Sequence, residues 1–394
     1  MDADPNLQFD NTEIAFSYKS DNQLRKAGLI FNVVNHPAIA KLATATVKWG
    51  LKVGLPIKGI IRATAFEHFC GGETIEKCEA TIRQLDRFHV KTILDYSVEG
   101  AKTEAGFDAT TDEILRTVDK AKGNPSVPFC VFKVTGIADA GLLEKIQNDE
   151  ALTLEEQNAF SRIRDRVEKI CSEAHDFDVP VLIDAEDSWY QNVIDDLAYA
   201  MMKKYNAKSP IVFNTFQMYR ADMYDNLVKA LDLAKSGGFF LGVKMVRGAY
   251  MEIERKRAEE NGYADPIHPS KEATDASFNK GLEFCIEHIQ HLALMCGSHN
   301  EYSNLLLTAL MKKHGIPKHD KRIWFAQLLG MSDTISFNLA KADYQVAKYV
   351  PYGPVEAVMP YLFRRAEENT SVEGQSSREL IVIRKELKRR RTAR

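Results

Sequence analysis

One rhythm limits what this chain can fold into. From about residue 57, short apolar runs rich in β-branched and aromatic residues alternate with longer helix-like stretches. Eight runs read as strands. The first four are "GIIRATAF" (59–66), "KTILDYS" (91–97), "PFCVFKVT" (128–135) and "PVLIDAE" (180–186). The others are "PIVFNTFQMY" (210–219), "GFFLGVKMV" (238–246), "HLALMCGSHN" (291–300) and "RIWFAQLLG" (322–330). Helical patterns such as "TIEKCEATIRQLDRFH" (74–89) and "MYDNLVKALDLAKSG" (223–237) lie between them, and the charged stretch 142–172 reads as an extended helix after the third run. The runs are continuously apolar rather than alternating, as in parallel strands covered on both faces. This pattern predicts an α/β fold, a (βα)8 TIM-type barrel. A doubly wound sheet is the competing arrangement, but no GxGxxG follows any run.

Residues 1–56 read as an N-terminal helical arm, 57–372 as the barrel with a final helix over its mouth, and 373–394 as a basic helical tail. The tail "SRELIVIRKELKRRRTAR" is either a solvated terminal helix or a weak contact with anionic lipid. With a net charge of −3, the chain has no basic excess that would suggest nucleic acid as a partner. The six cysteines form no CxxC pair and keep no ligand spacing with histidine, so they read as buried thiols in a reducing compartment. The polar, acidic start "MDADPNLQFDN" suits neither a secretory signal nor a mitochondrial presequence. No run of 18 apolar residues exists. The expected location is the cytoplasm, with at most a peripheral contact at the inner face of the cell membrane.

In a barrel, chemistry sits at the carboxyl ends of strands. The polar residues interrupting the apolar runs are therefore the candidate site. They are Asp95 and Glu99, Lys133, Asp184, Gln217 and Tyr219, Lys244, then "VRGAY" with Gly248 and Tyr250, then Ser298, His299, Asn300 and Gln327. Taken singly, each has a structural reading as a buried ion pair or a hydrogen-bonded core group. So many polar strand ends are better explained by a pocket that uses them, because unpartnered burial costs free energy. No metal-ligand spacing emerges. GxSxG and GxxxxGK[ST] are absent, which argues against a serine hydrolase or a P-loop enzyme. In "VRGAY", two small residues directly after a strand permit close backbone approach to a bound group.

The stretch "MPYLFRRAEENTS" (359–371) adds a second constellation. As a helix it puts Tyr361, Arg364, Arg365 and Glu368 on one face, with Val355, Met359, Leu362 and Ala366 on a separate apolar stripe.

These residues resemble the proline dehydrogenases, FAD-dependent (βα)8 flavoenzymes. The similarity runs from about residue 60 to 370. It includes "FCGGE", "ILDYSVE", "KVT", "IDAE", "QMYR", "VKMVRGAYMEIERKRA", "KEATD", "SHN", "FAQLLGM", "YVPYGP" and "YLFRRAEEN". The specific element is "GAY" followed about 100 residues later by YLxRRxxEN. The resemblance implies that Arg364 and Arg365 clamp the carboxylate of L-proline, for which forked guanidiniums are suited. Glu368 would orient them, and Tyr361, Tyr349, Tyr250 and Leu328 would line the ring pocket. Lys133 and Asp184 would pair near the substrate, and Glu99 would close over the site through Arg364.

For FAD the resemblance implies Gln217, Lys244, Val246, Gly248 and Ala249 at the ring and ribityl chain. It implies Lys271, Ser298, His299 and Asn300 at the phosphates and adenosine. The chain departs from some family members in carrying lysine rather than arginine at 244, methionine at 245 and methionine at 251. The implied reaction moves a hydride from proline C5 to flavin N5, giving Δ1-pyrroline-5-carboxylate. The electrons would pass to a quinone and the product to pyrroline-5-carboxylate dehydrogenase. Three alternatives remain open. One is hydroxyproline dehydrogenase, another is a different flavin barrel such as a folate reductase, and the third is a non-catalytic binding barrel.

Overall fold

The computed structural model describes residues 7–36, 46, 58–98, 100–364 and 375–392. Eight strands close a barrel in chain order. They are β1 Val90–Tyr96, β2 Phe129–Lys133, β3 Val181–Asp184, β4 Val212–Gln217, β5 Leu241–Val246, β6 Leu292–Gly297, β7 Ile323–Leu328 and β8 Val346–Tyr352. Neighbours from β2 to β7, and β1 with β8, pair in parallel.

The predicted barrel is present, but one of its expected strands is not. Residues 59–66 are helical: Lys58–Ile61 is α-helix and Arg62–Phe66 continues it as a π-helical turn. A short apolar run has no period long enough to separate strand from helix. Here Ile61 and Phe66 bury against other helices instead of in a sheet. The eighth strand is Val346–Tyr352, with Lys348 and the donor-less Pro351 inside it. Strand numbers therefore fall by one relative to the runs. The stretch 142–172 is also corrected, to two helices, Ala140–Gln147 and Leu154–Asp176. The break follows from a fresh start signal, a capping box between Thr153 and Glu156.

Two compact units divide the chain. The first, residues 100–326, holds β2–β6, the start of β7 and the helices between them. Its strands are buried along nearly their whole length. Phe129 packs edge-on against Phe213 and Trp324, filling the amino-terminal end of this unit's strands. The side chain of Asn206 serves four backbone groups at the starts of β4 and β5. It donates to the carbonyls of Val212 and Phe240 and accepts from the amides of Ile211 and Val212. Gly242 is required at the β4–β5 seam, where a Cβ would stand 2.2 Å from the Val212 carbonyl oxygen.

The second unit joins the described residues up to 98 with those from 327 onward. β1 and β8 pair here, from Val90 opposite Val346 to Tyr96 opposite Tyr352. Helices Thr12–Phe16, Asp21–Val34 and Gln375–Thr392 meet in one apolar cluster that includes Phe16, Leu24, Phe31, Phe69, Leu380 and Ile383. The tail is not simply a solvated helix. Buried Glu386 accepts from Thr12 Oγ1 at 3.0 Å and pairs with Arg389 and Arg390. Arg390 also donates to the carbonyls of Phe16 and Lys19 and to Asp21.

Beneath this cluster lies a buried charge network. Asp333 takes the Lys348 ammonium at 3.0 Å, the Lys19 ammonium at 2.8 Å and the Tyr18 hydroxyl at 2.7 Å. Burial works to raise the Asp333 carboxyl, but Lys19 and Lys348 outweigh it and the net shift is downward. Glu379 of the tail helix accepts the Ser332 amide at 2.7 Å, where Ser332 is left-handed (φ 51°).

All six cysteines are buried free thiols, as expected, and burial pushes Cys78 and Cys296 up to about 12. Replacing Asp333 by Asn leaves two ammoniums facing a neutral amide. The expected loss is about 3–5 kcal/mol, the usual cost of removing one partner from a buried pair, read from urea unfolding midpoints.

Candidate active site

The carboxyl ends of β2 to β6 bring together most of the anticipated cofactor residues. Lys133 and Asp184 are register partners across β2 and β3. Asp184 takes the ammonium of Lys244 at 2.5 Å, and both side chains are largely buried. The ion pair seen at this carboxylate therefore joins β3 to β5. Gln217, 2% exposed, ends β4 opposite Val246 and donates to the Glu186 carbonyl at 2.6 Å. The β4–β5 ladder runs on past both strands, with Met218 and Tyr219 amides bonded to the Val246 and Arg247 carbonyls. Gly248, at φ 129°, follows; a Cβ there would lie 2.4 Å from the Tyr219 ring. This is the physical reason for a glycine before Ala249 and Tyr250.

Tyr250 immediately precedes the helix Met251–Asn261. Glu254 on that helix is fully buried and accepts from the amide and hydroxyl of Ser188, so the helix after β5 is tied to the start of the helix Ser188–Tyr205 after β3. Lys271 opens the helix Lys271–Glu287 and pairs with Asp275 at 2.6 Å. Beyond β6, Ser298 Oγ accepts from the Asn300 amide, His299 lies between them, and Asn300 caps the helix Glu301–Lys313 through the Ser303 amide.

Chemically this set is rich in donors. Lys244 and Lys271, each paired with a carboxylate, the Gln217 carboxamide and the N-terminus of the helix Glu301–Lys313 lie in or after β4, β5 and β6. That suits an acceptor-rich group with a heterocyclic ring and a pyrophosphate, as in FAD. Among the described residues no group of three His, Cys, Asp or Glu side chains could hold a metal ion.

Of the anticipated substrate residues, Lys133, Asp184 and Tyr250 belong to the first unit, and Leu328, Tyr349, Tyr361 and Arg364 to the second. Leu328 ends β7, and its carbonyl accepts from Lys348 at 3.2 Å. Tyr349 sits buried in β8, where its carbonyl accepts from the Leu329 amide. The helix over 359–364 carries buried Tyr361 and half-buried Arg364. Of the expected stripe, Val355, Met359 and Leu362 bury in the apolar cluster, and Tyr361, expected on the other face, buries there with them; Ala366 lies outside the described residues. Arg365, Glu368 and Glu99 lie outside the described residues.

The family model described as Proline dehydrogenase matches residues 78–378. The chain belongs to the proline dehydrogenase family. It is 33% identical, over a 430-residue alignment, to "Proline dehydrogenase 1, mitochondrial" of Dictyostelium discoideum, covering 98% of this chain and 75% of that one. It is 31% identical to "Hydroxyproline dehydrogenase" of Xenopus laevis, covering 95% and 88%. A solved structure of proline utilization A (PutA) from Bdellovibrio bacteriovorus superposes with a TM-score of 0.72 at 19% identity. That match covers 91% of this chain but only 38% of the PutA chain. No helix among the described residues is long and apolar enough to cross a membrane.

Within this member of the proline dehydrogenase family, four charged residues of the first unit escaped the sequence reading: Glu186, Arg247, Glu254 and Asp275. Glu254 and Asp275 sit in ordinary helical charge patterns, although the four-residue step from Lys271 to Asp275 was readable. Glu186 lies just past β3, 4% exposed. It accepts from the amide (3.0 Å) and hydroxyl of Thr135. Burial pushes its carboxyl up to about 7, against the opposing pull of Lys133 and the two Thr135 bonds.

The folded protein thus holds this proton more tightly than the unfolded chain does. Stability contributed here falls as pH rises from about 4.5 to about 7 and levels off above. The Glu186→Gln variant should lose that part of the decline. Melting temperatures of both proteins across this pH range measure it, and parallel curves would overturn the assignment.

Proposed function

We propose that this chain is an FAD-dependent dehydrogenase that oxidises L-proline to Δ1-pyrroline-5-carboxylate. The observation that carries the reading is the Lys244 ammonium, held by Asp184 near the carboxyl ends of covered strands. Although Asp184 offsets much of its charge, the N–H groups of Lys244 would favour a neighbour that becomes anionic on reduction. FAD, when bound, would supply the two-electron acceptor for oxidation of the proline C5–N bond to C=N, the deprotonated nitrogen giving its lone pair to the new bond.

Gln217, Lys244, Val246, Gly248 and Ala249 would hold the ring and ribityl end. Lys271, Ser298, His299 and Asn300 would hold the phosphates and adenosine. Arg364 and Arg365 would bind the substrate carboxylate, oriented by Glu368, with Glu99 closing over Arg364. Tyr250, Leu328, Tyr349 and Tyr361 would wall the ring and exclude water, and Lys133 and Asp184 would stand near the amine. Only a neutral amine can release a hydride, so turnover rises with pH. A quinone would take the electrons, and a separate pyrroline-5-carboxylate dehydrogenase would take the product. A second reading, hydroxyproline as substrate, draws on the likeness to the Xenopus protein. Against it, Tyr349 would crowd a ring hydroxyl.

Purified protein should be yellow, and L-proline should bleach it without oxygen. A higher kcat/KM for proline than for 4-hydroxyproline fits the first reading, and the reverse order installs the second. Flavin colour that proline does not bleach counts against both. In a cytoplasmic enzyme reducing a membrane quinone, the exposed tail residues Arg384, Lys388 and Arg391 would meet the inner face of the membrane. Sedimentation with anionic vesicles, lost in the triple Ala variant, is the expected result; no sedimentation of the parent would remove this element.

A further inference from the structure

Arg247 lies directly after β5 and was given no role above. Its guanidinium reaches three elements at once. Nε donates to Asp275 Oδ1 at 2.6 Å, on the helix that Lys271 opens. Nη1 donates to Ser298 Oγ at 2.8 Å, just past β6. Nη2 donates to Ser303 Oγ at 2.8 Å, in the first turn of the helix Glu301–Lys313. The face of the group lies 4.3 Å from the Phe278 ring centroid, so its plane is fixed as well.

Each partner holds a further residue. Asp275 grips Lys271 through its other oxygen at 2.6 Å. Ser298 Oγ accepts the Asn300 amide, and Ser303 donates to Asn279 at 2.7 Å. Burial works to raise the Asp275 carboxyl, but its bonds with Lys271 and Arg247 more than offset that, leaving it lowered and ionised. One side chain thereby fixes two helix N-termini and a strand end relative to each other. The residues so fixed, Lys271, Ser298 and Asn300, have the chemistry to bind a pyrophosphate.

We propose that Arg247 is the positioning residue for the pyrophosphate end of the flavin site, setting the spacing of the two helix N-termini that bind it. This rests on the FAD reading above. Lysine at this position keeps the charge but has no fork to span three acceptors.

The test titrates apoprotein with FAD, following flavin fluorescence, alongside the apoprotein melting temperature. In Arg247→Lys the Kd for FAD should rise about tenfold or more, as for loss of one or more charge-assisted bonds. In Ser303→Ala, which removes one acceptor without changing charge, it should rise by a smaller factor. In the double variant Kd should match that of Arg247→Lys alone, because both changes break the same bridge. A Kd within about twofold of wild type in Arg247→Lys, or factors that multiply in the double variant, would overturn the proposal whatever happens to the melting temperature. If Arg247→Lys does not fold, an unchanged Kd in Ser303→Ala overturns it equally. Wild-type protein that takes up no FAD removes the flavin reading and this inference together. Tight FAD binding that is indifferent to these variants removes this inference alone.

Discussion

Parallel strands covered on both faces leave charge one place to go, and the rest of this molecule follows from that constraint. The strands β2 to β6 are buried almost throughout, so a charged side chain on them must be at an end or must bring its own partner. Asp184, at the end of β3, and Lys244, two residues before the end of β5, answer one another as partners. Gln217 and Glu186 are then drawn in to satisfy neighbouring backbone groups. Helices that start just past these strands complete the rim with their amino-terminal turns. Such an arrangement gathers the polar groups of the first unit at the carboxyl ends of its strands.

The same constraint explains what could be read from the sequence. Continuous apolar runs ending in polar residues located β1 to β7 to within three residues at either end, and with them Lys133, Asp184, Gln217, Lys244 and Ser298. The reading failed where charge was buried inside a strand. Lys348, fully buried, is satisfied by Asp333 and by carbonyls from the β7 loop, none of which is near it in sequence. A strand carrying such a lysine and a proline looks like a loop until its partners are known. The converse failure, at 59–66, is an apolar run whose burial comes from helices instead of a sheet. Arg247 stayed hidden for a related reason: its three acceptors come from two helices and a strand end that share no sequence signal.

Motif-level resemblance and fold-level likeness contribute different things. The family match over residues 78–378 ties this chain to proline dehydrogenases, while the PutA superposition at 19% identity speaks to the barrel alone. The charged contacts around Glu186, Arg247 and Glu254 come from neither source. They are visible only once side chains are placed, and they say which rim residues are held rigidly and by what.

The bond from Thr12 to Glu386 spans 374 positions, and Arg390 reaches back to Phe16, Lys19 and Asp21. On a ribosome, the first helices of the second unit therefore emerge long before the helix that completes their burial. Phe16, Leu24 and Phe31 wait for Leu380, Val382 and Ile383 to be made before they meet these neighbours, while the segment 100–326 already has all its strand partners from β2 to β6. Loop closure over such a separation is slow, and exposed apolar helices are what chaperones bind. The segment 100–326 thus has its strand partners within itself, whereas the first helices complete their burial only once the helix Gln375–Thr392 has been made.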